Sequence, residues 1–269
     1  MPSHPHDQYS TILPAYDAMR TRSASHLETA NVRLALTPLL QGNDATVLDL
    51  ACGSGFYSHL LPTWGAKKAV GVDISETMVG KARERSGEKG GDGDGVVEFR
   101  VADCSIPVVQ EGGPFDVVFA AWLLNYAPSK KELANMFLNV HLNLKPGGKF
   151  LAVVPPGYEN PAAFYEDEPA ARPGGSGGMF RTFVRDVEDG VLAHAFCATE
   201  KGDVVFDYYH LRKSVYGVAA REAGFGGEVG WRGNGVPGGW LEGHRGEASR
   251  EELESYNVLP QSDLLSVTK

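Results

Sequence analysis

The stretch Val47-Leu48-Asp49-Leu50-Ala51-Cys52-Gly53-Ser54-Gly55-Phe56-Tyr57-Ser58 constrains this chain more than any other. Val47 to Leu50 is short and mostly apolar, as expected of a strand buried on both faces of a sheet. Two glycines one residue apart follow. Glycine has no Cβ, so the backbone can turn sharply there and a ligand can press against the main chain. Phe56 to Leu61 resumes an apolar pattern that reads as the start of a helix. Strand, Gly-rich turn and helix together form the place where an open α/β sheet takes a nucleotide-like ligand, because the helix N-terminus offers unpaired N–H groups and partial positive charge.

The details of the turn narrow the ligand. The dinucleotide fingerprint asks for Gly-x-Gly-x-x-Gly, and here Ser58 stands at the third position. Asp49 lies in the strand before the turn. A carboxylate repels a pyrophosphate but attracts an ammonium or sulfonium group. A second strand, Lys68 to Asp73, ends in another acid, 24 positions beyond Asp49. That interval is close to the one at which an acid meets a ribose diol in such sheets, and one carboxylate can accept from both hydroxyls. Ser75 reads as an N-cap for the next helix. Val96 to Val101 is a third strand, followed by Ala102-Asp103-Cys104. Phe115 to Ala121 is a fourth, leading into Trp122-Leu123-Leu124-Asn125-Tyr126-Ala127. Ser129-Lys130-Lys131-Glu132 is a capping box, and Leu133, Met136, Phe137, Val140 and Leu144 form one apolar stripe. Lys145-Pro146-Gly147-Gly148 stops that helix, and Lys149 to Val154 is a fifth strand.

The Asp49-x-Ala51-x-Gly53-x-Gly55 turn, Asp73, Asp103 and Lys145-Pro146-Gly147-Gly148, in this order and spacing, resemble class I S-adenosylmethionine (SAM)-dependent methyltransferases over about residues 45–155. Ala51 stands where the first glycine is commoner. With Tyr16-Asp17 and Leu124-Asn125-Tyr126-Ala127, the chain is most similar to the small-molecule branch that includes toxoflavin synthase. The resemblance implies SAM as cofactor and S-adenosylhomocysteine as product. It places Asp49 near the methionine ammonium, with the main chain of Ala51, Gly53 and Gly55 around it. Asp73 takes the ribose, Asp103 and Cys104 the adenine, and Ile74, Met78 and Ala121 complete the site. Tyr16 sits in a helix that closes over the cofactor. Each has a plainer alternative: Tyr16 and Met78 as packing, Asp73 as an ordinary strand-end acid, Cys104 as inert core.

Residues just past strand C-termini line the crevice of an open sheet, so Trp122, Asn125 and Tyr126 are expected at the acceptor, Trp122 as a wall. Residues 1–10 read as loose, and Ile12 to Leu40 as two helices broken near Thr21–Ser25. Ser86 to Gly95 and Arg172 to Gly178 read as flexible loops. Val191 to Thr199 and Val204 to Leu211 form a β-hairpin, read as a lid. Its aromatic residues, Phe180, Phe183, Phe196, Phe206, Tyr208, Tyr209 and His210, suit a flat acceptor or form the insertion's own core. A helix over Val215–Ala223, a strand over Glu228–Trp231, a capping box at Ser249 and a last strand over Asp263–Thr268 complete the chain. The expected fold is α/β: a Rossmann-like seven-stranded mixed sheet, its last strand antiparallel, with helices on both faces, an N-terminal helical cap and a β-hairpin lid. It is one domain, with cap 1–41, cofactor-binding half 42–155, lid insertion 156–211 and sheet end 212–269.

The formal net charge of −9 argues against a nucleic-acid partner. Three cysteines suggest reduced thiols in the cytoplasm, no Cys/His pair has zinc-ligand spacing, and no apolar run is long enough for a membrane span. The expected reaction is in-line displacement: a nucleophile of a small, aromatic or heterocyclic acceptor attacks the activated methyl, and orientation supplies roughly 7–11 kcal/mol. His210 and Tyr126 are the candidate bases if the acceptor must lose a proton, with Tyr208 and His210 as further acceptor contacts. A nicotinamide-dependent oxidoreductase and a non-catalytic methyltransferase-like subunit remain open, as do the acceptor, the methylated atom and the oligomeric state.

Overall fold

The computed structural model describes residues 13–88, 96–173, 175, 178–240 and 249–269. A seven-stranded sheet forms its centre, in the order β3-β2-β1-β4-β5-β10-β9. These strands are β1 (Thr46–Leu50), β2 (Lys68–Asp73), β3 (Val96–Val101), β4 (Phe115–Ala121), β5 (Leu144–Val154), β9 (Gly230–Gly233) and β10 (Asp263–Thr268). The first five run parallel. β10 lies antiparallel to both β5 and β9. The chain steps outward from β1 to β3 and then returns to place β4 beside β1. That reversal opens a crevice beyond the C-terminal ends of β1 and β4.

The pleat sends alternate residues to opposite faces. Leu48, Leu50, Val118 and Ala120 face a core completed by α4 (Lys130–Asn143) and α6 (Lys213–Glu222). Val47, Val117 and Phe119 face the other layer, against Val32, Leu36 and Leu40 of α2 (Ser23–Leu40). On the outer side, α3 (Glu76–Glu88) packs Val79 and Ala82 on Phe99 of β3. Ser129 caps α4 by accepting from Lys131 N at 3.2 Å, and Ser249 caps α7 (Arg250–Val258) by accepting from Glu252 N at 3.0 Å.

Several elements depart from the sequence expectation. The segment after the Gly-rich turn is a series of turns, not a helix, and it ends in a 3-10 turn at Pro62–Trp64. Pro62 has no N–H to continue an α-helical ladder. The lid is larger than a hairpin: β6 (Met179–Val187), β7 (Gly190–Thr199) and β8 (Gly202–Leu211) form a three-stranded antiparallel sheet. A further helix, α5 (Pro161–Ala171), packs Phe164 and Tyr165 against Val191, Ala193, Ala195 and Tyr208. Phe180, Phe183 and Phe196 are exposed on this sheet at 45%, 43% and 36%, so they are neither its core nor acceptor contacts. Helix α3 runs through Ser86–Glu88, where a loop was expected. Residues 1–10, 89–95 and part of 172–178, all read as loose, lie outside the described residues.

The cap consists of α1 (Leu13–Met19) and α2, and α1 joins the lid to the Gly-rich turn. Ala15 of α1 packs on Cys197 and Val204 of the lid. On its other side, Asp17 accepts from Ser54 Oγ at 3.0 Å and pairs with Arg85 of α3 at 2.6 Å. Arg85 also donates to the carbonyl oxygen of Ser54 at 3.2 Å. A half-buried pair of this kind contributes little to global stability, about 0–1 kcal/mol, but it fixes where α1 sits. Asp17→Ala is therefore expected to accelerate limited proteolysis within residues 13–22 while moving the thermal midpoint by only a few degrees. Unchanged cleavage kinetics would show that the lid contacts alone hold the cap.

Candidate active site

The Gly-rich turn begins where β1 ends. Ala51 has φ +57°, Gly53 +55° and Gly55 +78°. In this left-handed region a side chain costs roughly 1–2 kcal/mol, so Ala51 is strained where glycine would not be. The Ala51 amide donates to Cys104 Sγ at 3.3 Å. The two glycines differ in purpose. A Cβ on Gly53 would meet nothing within 4 Å, whereas one on Gly55 would meet Phe99 at 2.9 Å, Ala82 at 3.0 Å and His59 at 3.1 Å. Gly53 leaves space for a ligand, and Gly55 allows the turn to pack.

A cleft of about 320 Å³ lies at this turn, bounded by Tyr16, Arg20, Asp49, Ala51, Gly53, Ser54 and Ala121 among others. Asp49 is buried, accepts from Ser58 Oγ at 2.5 Å, and is pushed up to about 7. Burial is the main cause, opposed by the Ser58 hydrogen bond and reinforced by Asp73. Asp73, at the end of β2, accepts from Gly53 N at 2.8 Å and Ser75 N at 2.9 Å. Burial raises its carboxyl against those bonds. These contacts join the end of β2 to the turn, but Asp73 is not among the residues bounding the cleft.

The adenine-side residues are more scattered. Asp103 is half-buried and caps its own loop, accepting from Ser105 N at 2.8 Å and Ser105 Oγ at 2.6 Å. Cys104 is buried beneath the turn, and burial raises its thiol. Ile74 is 39% exposed beside Asp73, and Met78 is buried in the first turn of α3.

A larger cavity, about 770 Å³, lies alongside. Tyr16 and Arg20 bound both spaces. Trp122, Asn125, Tyr126 and Tyr208, all expected at the acceptor, line it together with Glu28, Arg22, Arg181, Phe206, Met179 and Gln261. Trp122 has φ +62°, rare for a bulky residue. It is held by its amide donating to Val153 O at 3.0 Å and its indole donating to Glu28 Oε2 at 2.9 Å. Burial raises the Tyr126 phenol, which disfavours it as a base.

His210 does not line the cavity. It is 1% exposed, its Nε2 lies 2.7 Å from Pro156 O and its Nδ1 lies 3.0 Å from Tyr165 Oη. A carbonyl only accepts, so Nε2 donates and Nδ1 accepts from Tyr165. Tyr165 lies 3.1 Å from Tyr208, which does reach the cavity. Burial lowers the imidazole to about 4, so it is neutral at physiological pH. His210 thus stands behind two tyrosines instead of touching an acceptor.

Three functional candidates were not read from the sequence. Glu28 of α2 is 3% exposed and accepts from Arg20 Nη1 at 3.1 Å, Tyr57 Oη at 2.7 Å and the Trp122 indole. Arg20 lies over the Phe56 ring at 4.8 Å, and its buried Nε has no partner among the described residues. Arg181 enters from β6. The available signal was an acid four residues before Val32, inside the apolar stripe of a helix.

Residues 47–148 match the family model described as a methyltransferase domain. The chain is 30% identical over 175 residues to a trans-aconitate 2-methyltransferase of Variovorax paradoxus, covering 63% of this chain and 60% of that one. It is 34% identical over 121 residues to an mRNA cap guanine-N(7) methyltransferase of Caenorhabditis elegans, covering 42% and 32%. It therefore spans about a third to three fifths of the length of these relatives. The SAM-bound amino pentose methyltransferase CalS10 of Micromonospora echinaspora superposes with a TM-score of 0.55 at 18% identity, covering 96% of both chains, a likeness of fold. Residues 47–148 are thus similar to methyltransferase domains, and the fold is the Rossmann-like one of class I SAM-dependent methyltransferases. Among the described residues, no helix is long and apolar enough to cross a membrane.

Two predictions follow from the geometry of the turn. Asp49 is protonated below about pH 7 in the native state but ionised above about 4 when unfolded. The native state binds the extra proton, so stability falls as pH rises from about 4 to about 7 and levels off above. Asp49→Asn should flatten that decline in chemical denaturation series; an unchanged slope would place the titration elsewhere. Gly55→Ala should cost about 1–3 kcal/mol of stability by overpacking. Gly53→Ala should chiefly weaken SAM binding, and calorimetry showing the reverse ranking would contradict the division between the two glycines.

Proposed function

We propose that this chain transfers the methyl group of SAM to a small, aromatic or heterocyclic acceptor, on nitrogen or oxygen. The observation that carries this reading is the meeting of the two spaces. A cleft at the Gly-rich turn and a larger cavity share Tyr16 and Arg20 as common walls, so a donor and a small acceptor can be held side by side.

The residues of the cleft fit SAM. Gly53 leaves its face open, and the buried Arg20 Nε still lacks a partner among the described residues. Arg20 suits the methionine carboxylate, Asp49 the ammonium and Asp73 the ribose hydroxyls. In this reading Ile74, Met78, Asp103 and Cys104 serve the adenine, and Ala51, Gly53 and Ala121 line the cleft. SAM bound there would supply a sulfonium-activated methyl for direct transfer to the acceptor's nucleophilic atom, the bonding pair staying with sulfur. Trp122, Asn125 and Tyr126 hold the acceptor against the cleft and exclude water. Tyr208 forms the far wall, and His210 keeps Tyr165 and Tyr208 in place, a positioning role.

The acidic chain favours a small acceptor over RNA, although the Caenorhabditis elegans relative is named for mRNA cap methylation. Ser58, buried and bonded to Asp49, leaves no third glycine for a pyrophosphate and disfavours the nicotinamide reading. Free buried thiols at Cys52, Cys104 and Cys197 suit a reducing cytoplasm. The cap, cofactor-binding half, lid insertion and sheet end act as parts of one domain in this reading.

Calorimetric titration with SAM, S-adenosylhomocysteine and NAD tests the assignment. Saturable binding of the first two is expected, with Asp73→Ala weakening both at least tenfold, since hydrogen bonds to a charged group are worth about 1.5–3 kcal/mol. Binding of NAD alone, or undiminished SAM affinity in the variant, would overturn it.

A further inference from the structure

We infer that the acceptor carries a carboxylate and that Arg181 receives it; this rests on the methyltransferase reading of the same cavity. Arg181 lines the cavity from β6, with its side chain only 8% exposed. Its Nη1 pairs with Glu168 Oε1 at 2.7 Å, and the same oxygen lies 3.4 Å from Arg172 Nη2. Arg172 and Glu168 are themselves buried. The arginines also meet neutral groups: Arg172 donates to Leu259 O at 2.6 Å and Ser255 O at 3.4 Å, and Arg181 reaches Gln261 Oε1 at 3.5 Å. Two guanidiniums thus face one carboxylate in this cluster, and neither can shed its proton.

Glu28 on the opposite wall does not offset this excess. It is already paired with Arg20 and accepts from Tyr57 and Trp122. The cavity is therefore electropositive inside a chain whose net charge is −9. A buried excess charge is costly unless something of opposite sign compensates it. A guanidinium edge at a cavity wall matches the two oxygens of a carboxylate.

A second observation defines the other end of the ligand. Asn125 is 1% exposed, lines the cavity, and its Oδ1 has no hydrogen-bond partner among the described residues. An amide oxygen only accepts, so it calls for an N–H or O–H on the acceptor. Met179 and Phe206 add apolar surface to the cavity. The acceptor is thus a compact amphipathic acid: carboxylate towards Arg181, apolar body, and an N–H or O–H towards Asn125.

The test uses the full chain saturated with S-adenosylhomocysteine, titrated with 4-hydroxybenzoate, anthranilate and indole-3-carboxylate, each beside its primary amide. At least one acid should bind ten times or more as tightly as its amide. In Arg181→Gln that preference should shrink to within twofold while S-adenosylhomocysteine affinity stays unchanged. No acid preference in any pair would overturn the proposal, and so would a preference that survives in the variant. The acid–amide comparison on the unaltered protein stands even if Arg181→Gln does not fold. Failure of S-adenosylhomocysteine to bind would sink the methyltransferase reading instead, and the same comparison run without it would still report on Arg181.

Discussion

The Glu28 carboxylate is the contact on which both halves of the site depend. It takes hydrogen bonds from Arg20 at the end of α1, Tyr57 after the Gly-rich turn, and Trp122 beyond β4. Those three groups come from three separate stretches of chain, and a single buried acid brings them together. Removing one partner of such a cluster is costly because the remaining charge stays buried and uncompensated. Glu28 therefore fixes the partition between the donor cleft and the acceptor cavity. It also holds Arg20 so that its outer edge faces the cleft.

Backbone strain is concentrated along the same boundary. Ala51 and Trp122 both adopt positive φ, one just past β1 and the other just past β4. These are the two strand ends between which the sheet reverses its order. Each amide is bonded: Ala51 N to Cys104 Sγ, and Trp122 N to Val153 O, which continues the β4–β5 ladder. Strain persists where surrounding contacts over-determine a conformation, and it gathers at functional sites. Here it turns the Gly-rich segment and the Trp122 indole towards the crevice instead of along the strands.

Much of this was legible in the sequence because buried parallel strands leave little freedom. Lys68–Asp73, Val96–Val101, Phe115–Ala121 and Asp263–Thr268 have the bounds their apolar runs and flanking residues imply. The capping boxes at Ser129 and Ser249 start helices as read. What failed is physically of one kind. Strand β6 carries Arg181, Thr182, Arg185 and Asp186 among its apolar residues and is open along most of one face, so it has no clean alternation. Helix α5 hides behind Pro169, and the run after Gly55 looks helical until Pro62 withdraws its N–H. Asn125, Tyr126 and Tyr208 were read as acceptor residues and do line one cavity, because strand ends and alternate positions of a lid strand are readable. Burial of a charge is not readable. Glu28 and Arg181 look like ordinary surface residues in a string of letters, and His210 looks like a base until its two nitrogens are found occupied.

The charge pattern of the two spaces gives the site its direction. Asp49 is raised towards neutrality by burial and by Asp73, so the donor cleft favours a cation that would relieve both acids. Arg181 brings a guanidinium to the neighbouring cavity, and the Glu168 behind it is shared with a second guanidinium, Arg172. Between them, Arg20 and Glu28 neutralise each other. The sequence of signs from turn to lid is therefore negative, balanced, positive. On the proposed reading, a sulfonium cofactor would suit the first region and an anionic acceptor the last, whereas the reverse arrangement would meet like charge at both ends. In open water such a field would be screened within about 10 Å, and buried groups are screened less. The same sheet can thus orient two different small molecules, nucleophile towards methyl, before any side chain takes part in the chemistry.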